Sequence, residues 1–322
     1  MITKVETSIK EVHLRETFIT ALRSVSEFPV FQVALTDEKN RVGIGECVAT
    51  PAIVGDDFAQ FNEIFDSAIR GLLLTNKIEE VQLLNVWPSL KSAVDCAYRD
   101  LTAAHNSVSV KTDVTVPIAP IEELPSIVRN RLSAGFTTLK VKLGKEDSKS
   151  NFKRIVAIHN AAEGNAVLRI DPNQAWTVEV ALAFIEEIDK SDISLEYIEQ
   201  PLPAKDLAGM REIHRASSIK IMADESCFTL DDAKRLIDDQ ICDYINIKLL
   251  KSGGITQAEL IARECIDAGM NISVGSMMES EEGVRASINF AHQYAPETTH
   301  DLDAAWWIKD CSLNYENGRV WS

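Results

Sequence analysis

The chain contains no run of lysines and arginines dense enough to read as a basic patch, and its 33 Lys plus Arg stand against 49 Asp plus Glu, a formal net charge of −16. A nucleic-acid footprint needs such a patch, so that partner class is set aside. The acidic surface favours solubility. Cysteine is sparse: Cys47, Cys96, Cys227, Cys242, Cys265 and Cys311 are scattered, with no Cys-x-x-Cys and no Cys/His cluster. That excludes a zinc module by spacing and predicts reduced, mostly buried thiols. The opening residues, MITKVETSIKEVHL, lack the apolar centre of a secretory signal. No apolar run approaches the ~18–20 residues of a membrane span. A soluble, cytoplasmic protein is the expectation. Gly253-Gly254 lacks the Lys-Ser/Thr of a phosphate loop and reads as a helix-start turn.

What is present is an apolar content of 45% in 322 residues, enough for two ordinary domains or a barrel with an attachment. Residues 5–14 alternate apolar with polar, residues 29–35 form a stronger strand, and 42–46 return with Gly43 and Gly45. This predicts a three-strand meander. Helical patterns follow over about 57–73 and 89–105. The connections at 18–24 and 50–56 are richer than a linker needs.

From about residue 112 short β-rich runs alternate with helical patterns. The runs fall at 114–118, 137–143, 166–171, 195–199, 219–224, 243–248, 270–275 and 298–302. The central five close on Lys142, Asp171, Glu199, Asp224 and Lys248, at intervals of 29, 28, 25 and 24 residues. One βα unit of a parallel barrel has that length. The prediction is an eight-stranded (β/α) barrel; a doubly wound sheet is the alternative.

Within 137–143, Lys140 and Lys142 share one face of the strand and Leu139, Val141 and Leu143 the other. Taken alone, the lysine pair reads as a solvated edge. In a sheet covered on both faces it places two ammonium groups inside the protein, which demands compensating charge. The strand-end ladder offers it. Three carboxylates on adjacent strands suit a hard divalent cation such as Mg²⁺. The competing reading is a buried network in which acids merely neutralise lysines. With a cation on a substrate carboxylate, a lysine on each side of the α-carbon supports 1,1-proton transfer. Neighbouring positive charge is expected to lower a lysine's pKa toward the working range.

Lys140-Val-Lys142, Asp171-Pro-Asn-Gln-Ala-Trp176, Ile198-Glu199-Gln200-Pro201, Ala223-Asp224-Glu225-Ser226 and Asn246-Ile-Lys248-Leu-Leu-Lys251-Ser-Gly-Gly254 together resemble the enolase superfamily, muconate-lactonising subgroup. The resemblance implies a (β/α)7β modified TIM barrel with an α+β N-terminal capping domain. It implies Lys142 and Lys248 as acid/base lysines, Lys140 as a helper of the enolate, and Asp171, Glu199 and Asp224 as ligands of Mg²⁺. The implied division is 1–110 cap, with specificity loops near 18–26 and 50–56, 111–303 barrel, and 304–322 returning to the cap.

Gly275-Ser276-Met277-Met278-Glu279-Ser280 and Asp301-Leu302-Asp303 further resemble the dipeptide epimerases, in which the Asp-x-Asp pair binds the α-amino group. Two carboxylates over a barrel mouth suit an ammonium; without the resemblance they read as surface acids on a turn. Thr20-Ala-Leu-Arg23 resembles the capping loop of the L-Ala-D/L-Glu epimerases, where the arginine pairs with the glutamate side chain. Thr115, Lys140, Ser276 and Met278 would line the substrate site. The implied activity is Mg²⁺-dependent epimerisation at the α-carbon of a dipeptide's C-terminal residue, with a role in peptidoglycan turnover. An o-succinylbenzoate synthase or muconate cycloisomerase is the alternative, and a non-catalytic metal-dependent binding protein comes after it. A small-molecule substrate is expected, with no membrane partner; self-association into a homo-oligomer is left open.

The chain departs from the family pattern in a short segment after His105, in Pro172 and Ala175, in Trp306-Trp307 and in the close at Trp321-Ser322. The two shortened segments put cap packing and loop closure in question more than the chemistry. His300 is expected to play no catalytic part, and the other five histidines read as surface or packing residues.

Overall fold

The computed structural model of the chain describes residues 1–20, 24–103 and 107–322. The meander is there: β1 (Ile2–Ile19), β2 (Ser24–Asp37) and β3 (Val42–Cys47) pair antiparallel in the order β1-β2-β3. Val33 and Leu35 are buried while Gln32, Ala34 and Thr36 are half-buried, so the alternation seen in sequence separates two faces. The helix Pro88–Thr102 packs against this sheet and starts on a proline at its first turn. Gly43 and Gly45 explain how closely. A Cβ on either would come within 2.2 Å of Ala97 O or 2.0 Å of Ala93 O.

The expected single helix over 57–73 is instead a series of turns: Phe58–Gln60 (3₁₀), Phe61–Ile64 (α), Phe65–Ile69 (π) and Arg70–Leu74 (α). The buried residues are Phe61, Phe65, Ile69 and Leu73, spaced by four. In an α-helix that spacing drifts by about 40° per step. A wider π turn offsets the drift and keeps all four against the core.

The barrel follows. Seven parallel strands lie in sequence order: β5 (Val114–Val116), β6 (Thr138–Lys142), β7 (Val167–Asp171), β8 (Leu195–Glu199), β9 (Lys220–Ala223), β10 (Tyr244–Ile247) and β11 (Asn271–Val274). Helices between them start on side-chain caps from Asp147, Thr177, Asp206 and Thr229, the last a full capping box with Asp232. Each cap satisfies amides that the first helical turn leaves open. It therefore marks where each strand-end loop stops.

The eighth strand is much shorter than the 298–302 run suggested. Only Thr299–His300 (β12) is extended, and it pairs with β4 (Ser109–Thr112). Asp301 completes the closure, its N–H donating to Val274 O at 3.0 Å and its carbonyl accepting from Ser276 N at 2.9 Å. The sheet is thus a (β/α)7β barrel beneath an α+β cap. Residues near the C-terminus serve both parts. Ile308 bridges to Leu14 on β1, and Trp307 meets Phe18 edge-on at 4.9 Å. Beyond it, β13 (Tyr315–Glu316) and β14 (Arg319–Trp321) form a hairpin whose second strand pairs with β4, an element the sequence reading did not separate.

Candidate active site

Every residue of β6 is buried. Lys140 is 0% exposed and Lys142 8%. The solvated-edge reading of the lysine pair is therefore wrong: helices cover one face of the strand and the barrel interior the other. Register explains the layering. Lys142 pairs with Asp171 and Lys140 with Arg169, so the first pair sits at the mouth and the second one layer deeper.

The mouth is a lattice of ion pairs. Lys142 Nζ lies 2.6 Å from Asp171 Oδ2. Lys140 reaches up from the deeper layer to Glu199 at 2.8 Å, Asp171 at 3.2 Å and Asp301 at 2.7 Å. Lys248 Nζ is 2.8 Å from Asp224 Oδ2 and 3.9 Å from Asp301. Lys251 holds Asp224 Oδ1 at 2.8 Å and also donates to the Asp224 carbonyl. Asparagines steady the acids: Asn173 donates through its backbone and side chain to Asp171, and Asn246 Nδ2 donates to Glu199 at 2.9 Å.

The titration behaviour follows from burial against pairing. Burial disfavours the Lys140 and Lys248 ammonium groups, yet the surrounding carboxylates outweigh it and hold both above the ordinary lysine value. Lys140 does press the Lys248 value down, but no net lowering results, because Lys140 and Lys248 each have a carboxylate at 2.8 Å. Burial pushes Asp224 and Asp171 up, but their lysines pull both below the usual carboxylate range. Asp301 is likewise held down at about 2, against burial, by Lys140 and Lys248. Glu199 is raised by burial more than Lys140 lowers it. Burial, then Asp224, pushes Glu225 up to about 8.

A pocket opens over this lattice, with about 730 Å³ of empty space, part of it open to solvent. Lys142, Asp224 and Lys248 form its floor. Thr115, Ser276, Met278, Asp301 and Asp303, all singled out in sequence, are among its walls. Lys140, Asp171 and Glu199 are buried and do not line it. Phe18, Thr20 and residues 50–53 of the cap complete the enclosure, which brings both connections to the mouth. Arg23 lies outside the described residues. Asp303 is occupied on Oδ2 by Thr115 N at 2.7 Å and Trp307 Nε1 at 2.9 Å. Trp307, an oddity in the sequence, thus orients one acid of the Asp-x-Asp pair.

His300 is structural. Its Nδ1 accepts from Val274 N at 3.1 Å, so Nε2 carries the proton shared with Ala295 O at 3.0 Å. Burial lowers its pKa to about 4 and keeps it neutral.

Sequence reasoning assigned no role to Glu225, Lys251, Asn173 or Asn246. Each was visible inside a quoted motif; what was missing was which way its side chain points. Among the described residues, no three His, Cys, Asp or Glu side chains converge on a point that could hold a metal as they stand. The acids are turned to the lysines. The donor chemistry nonetheless fits Mg²⁺: oxygen ligands only, on three adjacent strand ends, with the Glu225 carboxylate beside them buried and both oxygens unpartnered. Asp171, Glu199 and Asp224 are the residues that would hold the ion.

Residues 123–321 match a family model described as enolase C-terminal domain-like. The L-Ala-D/L-Glu epimerase of Francisella tularensis subsp. novicida is 35% identical, over 97% of this chain and 92% of its own. The substrate-liganded L-Ala-D/L-Glu epimerase from Bacillus subtilis superposes with a TM-score of 0.94 at 32% identity, covering 99% of this chain and 95% of that one. The dipeptide epimerase from Enterococcus faecalis, complexed with Mg and the dipeptide L-Leu-L-Tyr, superposes at 0.89 with 30% identity, covering 99% and 96%. With its strand-end lysines and carboxylates and its capped barrel, the chain belongs to the enolase superfamily and is an isomerase of the epimerase and racemase kind.

Proposed function

We propose that the protein epimerises a dipeptide at the α-carbon of its C-terminal residue, with L-Ala-D/L-Glu as the preferred pair. One observation carries this reading: Lys142 and Lys248, four strands apart in the barrel order, both face one pocket that also holds Asp301 and Asp303. The two lysines flank the place where an α-carbon would sit. One removes the proton from one face and the other returns a proton to the opposite face, which inverts the centre. Asp301 and Asp303 supply negative charge for the dipeptide's ammonium. Lys140 adds positive charge behind the substrate carboxylate. A divalent cation held by Asp171, Glu199 and Asp224 supplies the electrostatic stabilisation that makes so weak a carbon acid reactive. Mouth walls from the cap exclude water.

The choice of glutamate rests on the Thr20-Ala-Leu-Arg23 segment and on the two L-Ala-D/L-Glu epimerases above. The Enterococcus relative, with L-Leu-L-Tyr bound, marks the competing preference. The walls contributed by Pro51, Ala52, Ile53 and Met277 would also take an apolar side chain.

Incubation with Mg²⁺ and L-Ala-L-Glu in D₂O tests the reading. Deuterium should enter the glutamate α-carbon as the L,D epimer accumulates, and EDTA should stop both. Faster turnover of L-Leu-L-Tyr would move the preference to apolar dipeptides. Absence of exchange across a broad dipeptide panel would remove the epimerase assignment.

A further inference from the structure

Glu225 stands apart from every other acid at the mouth. It is 5% exposed, lines the pocket, and is the one described side chain with two buried oxygens that have no hydrogen-bond partner. Its neighbours are all engaged. Asp224 is shared by Lys248 and Lys251, Asp171 by Lys140, Lys142 and Asn173, and Glu199 by Lys140 and Asn246. No lysine comes within ion-pair distance of Glu225 among the described residues. A buried carboxylate left this way is costly unless it accepts hydrogens that arrive with a ligand.

A hard divalent cation takes six or more oxygens. Asp171, Glu199 and Asp224 would not fill such a shell by themselves, so water would help to complete it. Water on a divalent cation is a strong donor, and it needs an acceptor outside the ion's own ligands. Glu225 follows Asp224 directly in the chain, lines the same pocket and has both carboxyl oxygens without a partner. We infer that Glu225 is a positioning residue that accepts hydrogen bonds from water bound to the divalent ion, and so holds that ion in place without ligating it. This rests on the metal assignment within the proposed function, but not on the substrate.

The test uses Mn²⁺ with the full chain and no dipeptide, so its failure is separate from failure of the substrate assignment. Free Mn²⁺ is read by electron paramagnetic resonance and bound Mn²⁺ by the relaxation of water protons. Glu225→Gln, close in shape, should weaken Mn²⁺ binding about tenfold. It should also change the water-proton relaxation of the ion that still binds, while Glu225→Asp retains more of both properties. A role through electrostatics alone would weaken binding but leave that relaxation unchanged, and this outcome overturns the proposal. So does an unchanged Mn²⁺ affinity. Should Glu225→Gln fail to fold, Glu225→Asp carries the same measurements: wild-type affinity with wild-type relaxation after the carboxylate is drawn back would overturn it as well.

Discussion

Two buried ion networks occupy adjacent layers of one barrel, and they are built differently. In the deeper layer Arg169 donates to Asp113 at 2.8 Å, to Glu196 at 2.6 Å and to Thr299 O at 3.0 Å, with its guanidinium 4.8 Å from the Tyr197 ring. All three of its nitrogens are engaged, and two of its targets lie on β8 and β12. A planar, permanently charged fork suits such a clamp. In the mouth layer the cations are lysines, compact and titratable, and they share carboxylates instead of owning them. Lys140 touches three acids, and Asp224 serves two lysines. Arg169 and Asp113 do not line the pocket, whereas Lys142, Lys248 and Glu225 do. The lower network fastens strands together; the upper one opens on the pocket.

The largest effect expected from breaking this comparison is at the mouth. Lys248→Ala should lower epimerisation by about 10³-fold or more. It should still allow deuterium exchange from the one stereoisomer whose proton faces Lys142, and Lys142→Ala should show the mirror pattern. Retained epimerisation in either variant, measured by polarimetry, would refute the two-base assignment. Next comes the lower layer. Arg169→Met leaves Asp113 and Glu196 without their cation and should cost about 3–5 kcal/mol in urea unfolding. Adding Asp113→Asn should restore part of that loss, and strictly additive effects would deny the clamp.

A third, smaller effect lies in the segment that follows β11, where Glu279 is buried. Burial raises the Glu279 pKa to about 7, although its carboxylate accepts from Met277 N. The folded state then holds a proton that the unfolded chain releases near 4.5. Stability from this group is fully present below about pH 4.5 and lost as pH rises through about 7. Glu279→Gln should therefore be more stable than the parent at pH 8, by up to about 3 kcal/mol, and gain little at pH 4. Parallel melting curves against pH would contradict this. The smallest effect belongs to neither network. Thr229→Ala removes the capping box of the helix Leu230–Asp238 and should cost about 1 kcal/mol. Its kcat should stay within twofold of the parent, and a larger change would tie that helix to the site.

The barrel was legible because its repeat is local. An apolar run closed by a charged residue every 24 to 29 positions needs no knowledge of the third dimension. The meander was legible for the same reason. The helical region at 57–73 was read as one element because four-residue spacing of Phe61, Phe65, Ile69 and Leu73 looks helical in sequence, while the wider turn that accommodates it is set by the core it packs on. The last strand was overread, since a run of five suitable residues does not reveal that only Thr299 and His300 form a strand, with Asp301 adding a single bridge. The lysine pair was first misplaced because Leu139-Lys140-Val141-Lys142 is compatible with an exposed edge. The ladder of strand-end charges already pointed inward, and the burial of every residue of β6 bears that out.

The sequence by itself determined which charged groups lie at strand ends, and so which could meet: period and alternation are properties of a single strand. Tertiary structure alone decided how those groups pair. Lys140 serves the mouth although its backbone belongs to the deeper layer, because its long side chain can climb to Glu199 and Asp301. Trp307 orients Asp303 because residues near the C-terminus pack between cap and barrel. Glu225, one residue from a thoroughly paired aspartate, is left with two free oxygens. Pairing depends on side-chain direction and distance across strands, and neither is encoded in the spacing along any one of them.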